Sequence, residues 1–102
     1  MTDELVSALV EILKVIDDRS IRQVFVFGSQ LTSPSVDSDV DVLVVRCGDI
    51  SYPEISAVSQ ELGSKFWNAT GRRLDQTRLS ETELVESGFL STVDALLVWE
   101  RS

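Results

Sequence analysis

Val24-Phe25-Val26-Phe27-Gly28-Ser29, nine further residues, then Asp39-Val40-Asp41-Val42-Leu43-Val44-Val45 is the stretch that decides the fold. The first run is short, almost wholly apolar and rich in Val and Phe, which predicts a buried strand over 22–27. Gly28 ends it, as glycine does where backbone turns sharply or approaches a ligand. The second run predicts another buried strand over 39–46, and it opens with two carboxylates one residue apart. Residues i and i+2 of a strand share a face, so Asp39 and Asp41 stand side by side next to the Gly-Ser turn. Two like charges held that close need a cation between them, or one must take up a proton.

The elements around this pair extend the reading. Leu5, Leu9, Ile12 or Leu13, and Ile16 recur at three-to-four spacing, which predicts an amphipathic helix over 3–18. Residues 29–38 read as a loop with at most one helical turn, and Cys47-Gly48-Asp49 as a turn. Ser51, Pro53 and Glu54 form a helix start, and the helix runs to about Asn68, with Ile55, Val58, Leu62 and Phe66 or Trp67 inward. Residues 72–79 predict a third strand, with Leu74, Gln76 and Arg78 on one face and Arg73, Asp75, Thr77 and Leu79 on the other. Ser80-Glu81-Thr82-Glu83 is a capping box that opens a helix to about Ser87. The apolar run 95–100 is too short to choose between strand and helical turn. The expected architecture is a single α+β domain over 1–102, an α/β two-layer arrangement with a small mixed sheet flanked by helices.

Composition narrows the chemistry. The chain of 102 residues carries 17 acidic and 9 basic residues, a net charge of −8. That balance argues against direct nucleic-acid binding, which depends on Lys and Arg neutralising phosphates. It suits a basic protein partner. With no histidine in the chain, histidine acid-base catalysis, Ser-His triads and His-ligated zinc are excluded. Cys47 is the only cysteine, so no internal disulfide forms. No apolar run approaches the length of a membrane span, and the acidic N-terminus lacks a signal-peptide pattern. The expectation is a cytoplasmic protein without membrane contact. Chemistry must then run on carboxylates, hydroxyls, Arg or Lys and an oxygen-preferring metal.

Phe27-Gly28-Ser29, nine residues and Asp39-Val40-Asp41 resemble the signature of the DNA polymerase beta-like nucleotidyltransferase superfamily. The short chain resembles its minimal nucleotidyltransferase (MNT) branch, and the order of elements fits over about residues 3–100. The resemblance implies the nucleotidyltransferase fold and an ATP-using, Mg²⁺-dependent enzyme. It implies that Gly28 and Ser29 contact nucleotide phosphates, with Ser38 beside Asp39 as a further nucleotide-binding residue. It also implies that Asp39 and Asp41 hold two Mg²⁺ ions and that Asp75, on the next strand, completes the catalytic and metal-binding set. The chemistry agrees. Carboxylates are hard oxygen ligands for Mg²⁺, and two such ions can clamp the attacking and leaving oxygens of a nucleotidyl transfer. Backbone amides and a serine hydroxyl can hold a triphosphate.

MNT domains of this kind often act as antitoxins of helical HEPN-domain RNase toxins, so the resemblance implies a hetero-oligomer in which AMP passes from ATP to a toxin hydroxyl. Two alternatives stand beside this one. The domain neutralises its partner by binding alone, or it modifies a small molecule, as aminoglycoside-modifying relatives do with an additional helical domain. One departure favours binding alone. Many relatives carry Arg and Gly soon after the Gly-Ser turn, whereas this chain has Gln30-Leu31-Thr32-Ser33-Pro34.

Overall fold

The structure, a computed structural model, describes residues 3–27, 39–47 and 52–101. Helix α1 (Asp3–Ile16) leads into β1 (Ile21–Phe27) and β2 (Val40–Arg46). Helix α2 (Tyr52–Thr70) then returns the chain to β3 (Leu74–Ser80). Two short helices, α3 (Glu81–Ser87) and α4 (Phe89–Thr92), precede β4 (Ala95–Glu100). The four strands form one mixed sheet in the order β3-β2-β1-β4. The β1–β2 and β1–β4 pairs are antiparallel and β2–β3 is parallel. A parallel pair needs a long crossover, and α2 supplies it.

Alternation along the strands divides the sheet into two faces. Val24 and Val26 on β1, Val40, Val42 and Val44 on β2, and Leu74 on β3 share one face and are buried. Leu9, Ile12 and Leu13 of α1 and Leu62 and Phe66 of α2 close over them in a single cluster. The four-residue step from Val58 through Leu62 to Phe66 is one helical stripe, and it selects Phe66 over Trp67 for the core. Phe66 is fully buried, whereas Trp67 is 56% exposed. Gln76 Nε2 donates to the Ser59 carbonyl at 2.9 Å and Arg78 Nη1 to Ser59 Oγ at 3.0 Å, so polar groups of β3 also fasten it to α2.

The second face carries Asp41, Leu43 and Val45 of β2 with Asp75, Thr77 and Leu79 of β3. Leu43 and Val45 are buried there, and α3, which follows β3 directly, contacts both β3 and β2. Helix α3 starts from the capping box read in the sequence. Ser80 N–H donates to Glu83 Oε1 at 3.0 Å, and Glu83 N–H donates to Ser80 Oγ at 3.1 Å. Gly88 adopts φ +63° between α3 and α4, a left-handed turn that glycine makes without steric cost.

Several expectations shift. Helix α1 stops at Ile16, and Asp17 takes the left-handed conformation at its end, where it pairs with Arg101. The third strand begins at Leu74, not residue 72, because Val40 N–H bonds the Arg73 carbonyl at 2.9 Å and the ladder starts there. The undecided run 95–100 is a strand, fixed by pairing with β1. The four-residue helix α4 has no counterpart in the sequence reading. The turn expected at 29–38, the Gly48-Asp49 part of the next turn, and Ser51 of the helix start lie outside the described residues.

Two measurements check this construction. Phe66→Ala is expected to cost about 3–5 kcal/mol in urea unfolding, and Trp67→Ala about 0.5 kcal/mol or less. The hydrogen bonds from the Ser80 backbone and then its side chain hold the Glu83 carboxyl below its ordinary value of 4.5. A carboxyl lowered in the folded state stabilises above its unfolded value, and this stabilisation is lost as pH falls through the folded one. Glu83→Gln is therefore expected to flatten the fall of the urea midpoint below about pH 4.5, relative to the unaltered chain.

Candidate active site

The pairing of β2 with β3 builds the site. Asp41 is the register partner of Asp75, with Val40 opposite Leu74 on one side and Val42 opposite Gln76 on the other. Register partners in adjacent strands lie about 4.8 Å apart and point to the same face. Phe27 is the partner of Asp41 on β1, so one row across the sheet reads Phe27, Asp41, Asp75. Asp39 precedes β2, is exposed, and shares the parity of Asp41. The face opposite α1 and α2 thus carries all three carboxylates at the end of the sheet where β2 and β3 begin.

Crowding among these groups is electrostatic. Burial, then the charge of Asp75 and the hydrogen bond with it, then the charge of Asp39, push the Asp41 carboxyl above its usual value. Two carboxylates within hydrogen-bond reach share a proton unless a cation replaces it. Among the described residues, no three His, Cys, Asp or Glu side chains are gathered closely enough to hold a metal ion as they stand. The Asp41–Asp75 pair is the nucleus, and Asp39 is its exposed neighbour. The donor set is all carboxylate oxygen, which fits Mg²⁺ and not a soft metal.

Aromatic side chains border the carboxylates. The Phe27 and Phe89 rings meet edge to face, 5.2 Å between centroids, so α4 stands beside the row that holds Asp41. Sequence reasoning missed Phe89 because α4 is one turn long and leaves no periodicity to read. Arg73 sits next to Asp39 through the Val40–Arg73 hydrogen bond, whereas Arg78 faces α2 and is remote in direction from the carboxylates. Gly28, Ser29 and Ser38, expected at the nucleotide phosphates, lie outside the described residues, as do Gln30 to Pro34.

Solved structures share this architecture. A Shewanella oneidensis MNT antitoxin complex with a tri-AMPylated HEPN toxin matches with a TM-score of 0.65 and 18% identity, over 99% of this chain and 74% of that one. A toxin-antitoxin complex with AMP-PNP matches with a TM-score of 0.64 and 19% identity, over 95% of this chain and 74% of that one. The chain has the nucleotidyltransferase fold. A candidate nucleotidyltransferase from Sulfolobus solfataricus also matches, with a TM-score of 0.52 and 20% identity, over 99% of this chain and 91% of that one. No protein-family model matches the sequence, and no curated protein matches it. At these identities the likeness is one of fold. Among the described residues no helix is long and apolar enough to cross a membrane.

A cation is expected to relieve the Asp41–Asp75 repulsion. At Mg²⁺ one hundredfold above its Kd, linkage gives about 2.7 kcal/mol of stabilisation, read as a rise in Tm. Asp41→Asn is expected to unfold later than the unaltered chain in EDTA and to lose most of the Mg²⁺-dependent rise.

Proposed function

We propose that this chain is a Mg²⁺-dependent nucleotidyltransferase that transfers AMP from ATP to a hydroxyl of a protein partner, a HEPN-type toxin that it thereby neutralises. The observation that carries the reading is the register of Asp41 against Asp75, with Asp39 on the same face, in the fold of proteins whose solved complexes include an AMPylated toxin. Asp39, Asp41 and Asp75 are the residues that would hold Mg²⁺, in a set of two ions. When bound, the metal neutralises the charge that builds on the triphosphate as it reacts.

The chain's own residues then have distinct tasks. Asp75, at the outer strand β3, accepts the proton of the attacking hydroxyl. The hydroxyl oxygen forms a bond to the α-phosphorus, the bond from that phosphorus to the bridging oxygen breaks, and pyrophosphate leaves. Gly28, Ser29 and Ser38 are assigned to the phosphates, with backbone amides and hydroxyls as donors. Positioning and charge neutralisation carry such a reaction, so a chain without histidine can perform it.

Binding alone is the second reading, favoured by the sequence Gln30 to Pro34, which lacks the Arg that many relatives carry after Gly-Ser. One experiment separates the two. The chain and its partner toxin are incubated with α-labelled ATP and Mg²⁺. Label is expected on the toxin, and Asp39→Ala with Asp41→Ala is expected to lower the transfer at least about a hundredfold. Neutralisation that survives Asp41→Asn without label would leave binding alone.

A further inference from the structure

A nucleoside triphosphate is strongly anionic, and a chain of net charge −8 has to hold it beside a row of carboxylates. Bound metal offsets charge at the carboxylates, and a fixed cation next to them favours the phosphates that extend further. The turn after β1 supplies none, because no Lys or Arg lies between Arg22 and Arg46. Most of the nine basic residues are committed elsewhere. Four are in ion pairs with Glu11, Glu81, Glu83 and Asp17. Arg78 faces α2, where its Nη1 donates to Ser59 Oγ. Lys65 lies on α2, behind the sheet. Arg19 precedes β1 and so stands at the far end of the sheet from the carboxylates.

Arg73 is placed differently. Val40 N–H donates to its carbonyl, so the residue already belongs to the β2–β3 ladder and stands opposite Asp39. Leu74 beside it is buried in the core, so alternation turns Arg73 to the other face, the one that carries Asp39, Asp41 and Asp75. A rise of about 3.3 Å per residue sets it about 6.6 Å along the strand from Asp75. Arg73 is exposed and, among the described residues, has no ion-pair partner, Asp39 included. The chain that leads to it is fixed. Gly71 takes φ +69° after α2 and donates its N–H to the Trp67 carbonyl at 2.8 Å. Thr70 Oγ1 donates to the Phe66 carbonyl at 2.7 Å and accepts from the Arg72 N–H at 3.1 Å. The Arg73 backbone is thus tied to the helix that carries the buried Phe66, and its guanidinium is left to the surface.

We propose that the Arg73 guanidinium binds the β- and γ-phosphates of ATP and is the cation that the chain itself supplies to this site. This rests on the nucleotidyltransferase reading and gives a task to a residue that the reading leaves unused. Asp75, which takes the hydroxyl proton, belongs beside the α-phosphorus, and Arg73, one pleat further out, meets the phosphates beyond it. A guanidinium fork takes two phosphate oxygens at once, which an ammonium group does not.

Calorimetric titration of the chain with ATP and with AMP, each in Mg²⁺, tests this, since AMP lacks the phosphates assigned to Arg73. Arg73→Ala is expected to weaken ATP about tenfold or more and AMP less than about twofold. Arg73→Lys is expected to restore only part of the loss. Arg78→Ala makes the same change in net charge on the α2 side and is expected to leave both ligands within about twofold. Being exposed, Arg73→Ala is expected to keep the Tm of the unaltered chain. ATP bound equally by Arg73→Ala and the unaltered chain would overturn the proposal. So would equal losses for ATP and AMP, or equal losses in Arg73→Ala and Arg78→Ala, which would show attraction to net charge alone. An unaltered chain that binds no ATP in Mg²⁺ would remove the nucleotidyltransferase reading and this one together, whereas ATP binding that survives Arg73→Ala removes the role of Arg73 alone.

Discussion

The parallel pairing of β2 with β3 is the constraint on which the site depends. It sets Asp41 directly against Asp75 and so puts two negative charges where the sheet offers no compensating base. Such a juxtaposition costs free energy in the isolated chain, and folding tolerates it because the neighbouring positions are strongly apolar. Val40, Val42 and Val44 anchor the opposite face of the same strand in the core. A slip of one residue would exchange these valines for the aspartates, burying charge and exposing the core. The register that protects the core is therefore the one that crowds the carboxylates.

Division of labour between the two faces follows from this. Helices α1 and α2 seal one face, and α2 doubles as the crossover that makes β3 parallel to β2. The short helices α3 and α4 cover only part of the other face. Leu43 and Val45 are buried on that face, Asp39 is exposed at the sheet end, and α4 brings Phe89 to Phe27.

Most of the local structure was legible in the sequence because it rests on local rules. The capping box at Ser80 and Glu83, the helical stripe of α1, and the alternation in the strand that holds Asp75 each follow from residues close together in the chain. What was hidden depends on distant partners. The run Ala95–Glu100 becomes a strand only because β1 offers it an edge. Phe66 and Trp67 are both large and aromatic, and packing of the Val58–Leu62 stripe against the sheet is what turns Phe66 inward and leaves Trp67 exposed. The same-face placement of Asp39 and Asp41 could be read directly, but the adjacency of Asp41 and Asp75 could not, since 33 residues, including a whole helix, lie between them. The Gly-Ser turn remains a reading of sequence, outside the described residues.

The central claim is that Asp41 and Asp75, with Asp39, hold divalent cations for nucleotidyl transfer. Crystals grown with Mn²⁺ and a non-hydrolysable ATP analogue, measured for anomalous scattering at the manganese edge, test it most directly. Manganese peaks between the Asp41 and Asp75 carboxylates, with the triphosphate bridging them, are the expected result. A bound nucleotide with no peak at that pair, or manganese only at other surface carboxylates, would contradict it.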